Sequence, residues 1–281
     1  MNVSLLIIDC ISNLQVGSGK DNDGLIDNLI QRDPVTGIPC IFSSSLKGAL
    51  REHCEEWNRT HENGQQVPID KIFGSQITDC ERIFRSTFMS SVSPNSLSYL
   101  REWLLEGITE WNQDNPSDTI NVNELLDGNN GGKMRTSPGK YRFFDAMLVA
   151  FPIPESSNGK PYSLVASNSI YNEIGNHDIV FPQELSITPI ENEMFAHYVS
   201  DDCLPVIARN YLNNGVSRNL WYEQVLPRKS RLLSFVMHED PFDENMKNAL
   251  ENSFVQIGAN ATVGYGLCDI NIYPTERVEA L

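Results

Sequence analysis

Four aspartates lie within a short stretch near the start of the chain: Asp21, Asp23, Asp27 and Asp33. A carboxylate can accept a proton as a general base, hold a divalent cation, or position a neighbour. Asp27 sits in an apolar context, Leu25-Ile26-Asp27-Asn28-Leu29-Ile30, directly after a Gly-rich run. Residue types alone do not rank the four, and a cap or turn role is open to each. Further on, Ser43-Ser44-Ser45-Leu46-Lys47-Gly48-Ala49-Leu50-Arg51 combines hydroxyls with two cations spaced four apart. At a helix start, free N–H groups and the helix dipole favour an anion, and Lys47 and Arg51 share one face. That pattern makes a compact phosphate-binding surface; the plain alternative is a capped amphipathic helix with solvated cations. Near the end, Gly258, Gly264 and Gly266 flank Tyr265, a composition that lets a loop approach a sugar-phosphate chain or simply closes a tight connection.

Other chemistries are excluded by spacing. Gly17-Ser18-Gly19-Lys20 suggests a phosphate-cradling P-loop, but Leu14 stands where that motif needs glycine, and Asp21 where it needs Ser or Thr. No nucleotide cofactor is expected. The six cysteines (10, 40, 54, 80, 203, 268) form no CxxC pair, and the five histidines have no ligand spacing. Neither a zinc site nor a disulfide framework is expected, and the thiols read as mostly buried and inert in a reducing, cytoplasmic setting.

The elements that must carry these residues follow from periodicity. Val3–Asp9 reads as a strand, Asp33–Gly37 as a turn and Ile38–Phe42 as a short extended piece. Ser43–Ser45 opens a helix whose stripe is Leu46, Ala49, Leu50, Cys54 and Trp57. A second helix is expected from Ser93, with stripe Leu97, Leu100, Leu104, Ile108 and Trp111, then a polar stretch from Asn112 to Gly139. Strands are expected at Tyr141–Phe151, Leu220–Leu226, Leu232–Val236 and Leu267–Ile272, with a helix marked by Phe242, Met246, Leu250 and Phe254. The order β, α, insertion, β, β, α, β predicts an α+β, ferredoxin-like or RRM-like unit with long insertions.

The 281 residues carry 37 acidic and 21 basic side chains, a net charge of −16. Such a balance ordinarily disfavours nucleic acid, but net charge does not describe one groove. From Pro161 to Ala208 there is no Lys or Arg, whereas Gly128–Phe143 holds Lys133, Arg135, Lys140 and Arg142 and no acid. Apolar runs such as Leu5–Ile8 are far too short to span a membrane, and no basic flank precedes the first to suggest a secretory signal.

Several blocks together resemble the RAMP superfamily, RNA-binding proteins of CRISPR effector complexes. They are Gly17-Ser18-Gly19, Gly24–Asp27, Arg32–Pro39, Ser44–Arg51, Gly139–Leu148, Phe151-Pro152-Ile153, Trp221–Pro227 and Ile257–Gly266, in family order. The chain is most similar to the repeated backbone subunit of type III-B (Cmr) complexes. It departs from the pattern at Phe42, where Pro or Gly usually precedes the serines, and 54–138 and 160–215 match weakly.

The resemblance implies one RAMP domain over 1–281, an RRM-like palm with a β-hairpin thumb. A helical or loop insertion is expected at 59–138 and a thumb-containing insertion at 161–208, where Ile170, Tyr171, Ile174, Ile179, Val180 and Phe181 are candidate wedge residues. Copies would stack along a guide RNA together with other Cmr subunits, and a target RNA would be cut at regular intervals. The family's cutting residue corresponds to Asp27, which ranks the aspartates. The implied reaction is metal-dependent (Mg or Mn, with Asp27 as ligand) and leaves a 2′,3′-cyclic phosphate and a 5′-hydroxyl. RNA contacts are expected from Gly17, Ser18, Lys20, Ser44, Ser45, Lys47, Arg51, Gly258, Gly264 and Tyr265. The alternative is a non-catalytic RNA-binding scaffold of the same superfamily.

Overall fold

The computed structural model describes residues 1–19, 24–61, 64–74, 138–155, 161–176 and 187–275, with 109, 113 and 159 besides. The chain divides into a unit formed by Met1–Ile69 with Lys140–Leu281 and a second unit, Asp70–Gly139. The helix expected from Ser93 lies outside the described residues. Within the second unit, Gly74 bridges Pro138.

In the first unit β1 (Asn2–Cys10) lies near the middle of a sheet, flanked antiparallel by β9 (Arg231–His238) and β11 (Leu267–Thr275). The sheet continues through β4 (Ala146–Pro154), β5 (Tyr162–Ser167) and β6 (Ile187–Ile190), and on the other side ends at β10 (Val255–Gln256). β2 (Cys40–Ile41) pairs with β4, and β3 (Arg142–Phe143) with β9. Alternation along β1 explains its nearly unbroken apolar run. Leu6, Ile8 and Cys10 point to one face with Leu232, Val236, Ile270 and Cys268, all but inaccessible to water. Leu5 and Ile7 point to the other, clustering with Val149 and Leu233 under Ile170 and Tyr273. A strand buried on both faces reads as a continuous hydrophobic segment.

Two of the three expected helices lie among the described residues and form, the second without Phe242 and Phe254 from its expected stripe. α1 (Ser43–Thr60) buries Leu46, Leu50 and Cys54, a true i, i+4, i+8 row. α5 (Glu244–Glu251) buries Met246, Ala249 and Leu250 and is capped by Asp243, whose carboxylate accepts the Met246 N–H at 2.9 Å. Between α1 and α5 come α2 (Ile69–Phe73), α3 (Asn168–Asn176) and α4 (Asn192–Tyr198).

Three expectations change in detail. The strand expected over Tyr141–Phe151 is interrupted at Phe144-Asp145 because Asp145 leaves the ladder to accept the Ser43 N–H at 2.6 Å. The serine hydroxyls therefore do not cap α1: Phe42 occupies the cap position without a side-chain bond, and Asp145 satisfies the helix start from another element. The strand expected at Leu220–Leu226 is longer at its start, and forms half of a separate ribbon. β7 (Val206–Asn213) and β8 (Val216–Gln224) pair with each other outside the main sheet. Asn214 and Gly215, at φ 51° and 78°, form the two-residue turn joining them. Positive φ at both positions matches the twist of paired strands, which is why Asn-Gly closes such hairpins. This ribbon overlaps 161–208 only at Val206–Ala208. The described part of that span forms β5, α3, β6 and α4.

Candidate nucleic-acid interface

Asp27 is exposed, yet held firmly. Its Oδ2 accepts the Tyr222 N–H at 2.7 Å, and its own N–H donates to the Tyr222 carbonyl at 3.0 Å. The next residue continues the pairing: the Asn28 carbonyl accepts the Gln224 N–H at 2.9 Å. Residues 27–28 thus lie along the edge of β8 not taken by β7, so the carboxylate stands at the base of the ribbon. One oxygen is committed to a backbone N–H, which orients the group.

The ribbon exposes large apolar and aromatic side chains along its length, Tyr211, Leu212, Val216, Leu220 and Tyr222 among them. A two-stranded ribbon is marginal by itself, and such side chains in water mark a surface built to meet something else. Of the residues proposed as wedges from sequence, Ile170 instead packs inward on the sheet. Tyr171 is exposed on α3, and the side chains of Ile174, Ile179, Val180 and Phe181 lie outside the described residues.

A buried glutamine assembles the next group. Gln31 donates through Nε2 to the Ser45 hydroxyl (2.9 Å) and to the Gly17 carbonyl (3.1 Å), while its Oε1 accepts the Phe42 N–H at 2.6 Å. The Ser18 N–H donates to the Leu29 carbonyl at 2.8 Å. Gly17, Ser18 and Ser45 are therefore stitched to the strand-like segment 28–31 that follows Asp27. Ser44 is exposed on the first turn of α1, and Lys47 is half-buried in the next. Arg51 is only 12% exposed at its side chain and donates to Glu55 at 2.6 Å, so its charge is already balanced within the helix. Lys20 lies outside the described residues.

The Gly-rich terminal loop closes on the same region. Gly258 has φ +80°, and a Cβ there would meet the Gln15 carbonyl oxygen at 2.3 Å. Only glycine lets the loop lie flat on segment 13–16, where the Ala259 N–H donates to Gln15 at 2.9 Å. Gly264 ends a short 3-10 turn, Ala261–Val263, in the left-handed conformation. The Tyr265 ring lies under the Arg209 guanidinium, 5.1 Å from its centroid.

Gln31, Glu223, Arg209, Asn260 and Asp145 were missed from sequence. Their roles are long-range hydrogen bonds, which leave no local periodicity. Glu223, a carboxylate inside the block Trp221–Pro227, and the Asn-Gly pair at 214–215 were the available signals.

For a divalent cation, the described residues hold no group of three or more His, Cys, Asp or Glu that could form a cage. A magnesium-type site needs less, since one or two carboxylates with substrate phosphates and water suffice. Asp27, exposed and with one oxygen already oriented, fits that limited part. No helix among the described residues is long and apolar enough to cross a membrane.

The family model of the RAMP superfamily matches residues 7–269. Among characterised proteins, the chain is 23% identical over 286 residues to the "CRISPR system Cmr endoribonuclease Cmr4" of Pyrococcus furiosus, covering 91% of this chain and 90% of that one. Among solved structures it is similar to a chain of the type III-B Cmr-beta complex bound to cognate target RNA, with TM-score 0.56, 15% identity and 96% of each chain covered. The apo state of that complex gives TM-score 0.55 and 16% identity over the same shares. Oligomeric Cmr4 from Pyrococcus furiosus gives 0.50 and 14%, covering 98% of this chain and 99% of that one. These structural likenesses are likenesses of fold.

Proposed function

Because the chain belongs to the RAMP superfamily, we propose that it is a backbone subunit of a type III-B CRISPR effector that binds guide RNA and cuts target RNA with Asp27. The observation that carries this reading is the clamp between Asp27 and Tyr222 at the base of the apolar ribbon. It joins the two things such a reaction needs, a carboxylate and a wedge. The Pyrococcus furiosus relative is an endoribonuclease, which supports the activity, and the target-bound complex supports the partner.

In this reading the ribbon β7–β8 is the thumb. Its exposed Tyr211, Leu212 and Leu220 interrupt the guide–target duplex, and one target nucleotide is splayed out beside Tyr222 and Asp27. Unstacking frees the ribose, so its 2′-oxygen can line up with the adjacent phosphorus opposite the 5′-oxygen. Asp27 takes the 2′-hydroxyl proton as the 2′-O–P bond forms and the P–O5′ bond breaks. The leaving 5′-oxygen takes a proton from water, and the products are a 2′,3′-cyclic phosphate and a 5′-hydroxyl. A magnesium or manganese ion bound there would be held on the protein side by Asp27, and would offset negative charge gathering on the phosphoryl oxygens. Gly17, Ser18, Ser44, Ser45, Lys47, Gly258, Gly264 and Tyr265 hold the RNA backbone without reading sequence, because pairing with the guide supplies specificity. Stacked copies with the other Cmr subunits would repeat the cut at regular intervals.

The test is target cleavage by the reconstituted complex, wild type against Asp27→Ala, with divalent cation and with chelator. We expect Asp27→Ala to lose regularly spaced products, by about a hundredfold or more, while binding target normally. Residual cutting by wild type in chelator would assign Asp27 the proton-accepting role alone. Equal cleavage by both proteins would leave an RNA-binding scaffold as the function.

A further inference from the structure

Glu223 is 6% exposed, and all four lone-pair positions of its carboxylate are taken by donors from different parts of the chain. Oε1 accepts from Trp221 Nε1 at 2.9 Å and from Asn28 Nδ2 at 3.4 Å. Oε2 accepts from Asn260 Nδ2 at 2.8 Å and from Arg209 Nε at 3.1 Å. Arg209 and Trp221 belong to the two ribbon strands, Asn28 adjoins Asp27, and Asn260 begins the 3-10 turn of the terminal loop at φ 67°. One buried charge therefore joins the ribbon base, the Asp27 segment and the Gly-rich loop. On either side of it in β8, the Tyr222 and Gln224 peptides hold Asp27 and Asn28.

We propose that Glu223 is the positioning residue of this site, keeping Asp27, the ribbon and the terminal loop in one register so that the cut falls at a defined phosphate. This deepens the nuclease reading above and rests on it. Glu223 reaches no RNA itself; it acts through Asn28 and the Tyr222 peptide on Asp27, and through Arg209 and Asn260 on the two flanking surfaces. The chemistry requires an acceptor at every lone pair. Glutamine has the same shape, but its NH2 group would face two of the four donors in either orientation, so Glu223→Gln breaks the hub without opening a cavity.

The decisive experiment uses the assembled, guide-loaded complex with wild type, Glu223→Gln, Asn28→Ala and Asp27→Ala. Target affinity, single-turnover cleavage rate and the exact product ends are measured for each. Glu223→Gln should bind target within about twofold of wild type, cut about tenfold more slowly or worse, and leave scattered ends in place of a single register. A brace of the fold alone would lower binding and cutting together and keep the ends unchanged. That result, or cutting at the wild-type rate and register, overturns the proposal. If Glu223→Gln does not assemble, Asn28→Ala decides. It removes only the direct side-chain hydrogen bond from the Asp27 segment to Glu223, and should slow cutting about threefold with binding intact; wild-type cutting by this variant overturns the proposal. Wild-type cutting by Asp27→Ala overturns the nuclease reading, and this inference with it. Loss of cutting in Asp27→Ala beside normal cutting in Glu223→Gln removes this inference alone.

Discussion

Asp27 and Glu223 are both acidic, and their surroundings give them opposite duties. Asp27 keeps a water-facing carboxylate with one oxygen fixed by a backbone N–H. Glu223 is enclosed and fully hydrogen-bonded, so it is suited to hold and not to react. The thiols divide in a similar way. Burial pushes the Cys40 and Cys54 thiols up to about 12, and the Cys10 thiol is raised too, first by its hydrogen bond with the Cys268 thiol and then by burial. The thiolate is the reactive form, so these thiols are protected both by access and by protonation. Cys203 is exposed. Brief treatment of native protein with iodoacetamide, followed by peptide mass analysis, should modify Cys203 and leave Cys10, Cys40, Cys54 and Cys268 unmodified until denaturant is added.

Among the elements, the terminal loop depends most visibly on a single backbone position. Gly258 combines positive φ with contact against the Gln15 carbonyl, so Gly258→Ala meets both strain and a collision. We expect a loss of about 2 kcal/mol or more in stability, measured by urea unfolding. Gly264, at a similar φ but with open space around it, should tolerate alanine better. α1 was legible because its row Leu46, Leu50, Cys54 repeats every four residues. Its true cap was not, because Asp145 is about a hundred residues away and reaches Ser43 only once β4 is in the sheet. The same reason hid the break in the strand expected over Tyr141–Phe151.

For the whole molecule, the net charge of −16 means that the RNA binding proposed above would depend on a few placed cations against a repelling background. Lys47 is the candidate for such a cation; Arg51, paired with Glu55, is less so. In the assembled complex, Lys47→Glu should weaken guide-RNA association irrespective of guide sequence. It should also lower the slope of log affinity against log salt by about one. Binding with an unchanged slope would remove Lys47 from the interface.

Sequence alone determined the α+β order, the central strand, the helices α1 and α5 and the blocks that place the chain in its superfamily. These are written in residues close together, where side-chain period and turn chemistry act locally. It could not rank Asp27 above Asp21, Asp23 and Asp33 by chemistry, since four carboxylates in one stretch have the same local propensities. Family resemblance supplied that ranking. Tertiary structure decided what lies beside Asp27: a β8 edge about 195 residues further along the chain. It also decided that the ribbon closed by Asn214-Gly215 stands outside the sheet, and that Glu223 and Gln31 gather distant loops. Hydrogen bonds between remote segments depend on the register of packed strands, and that register exists only after the chain has folded.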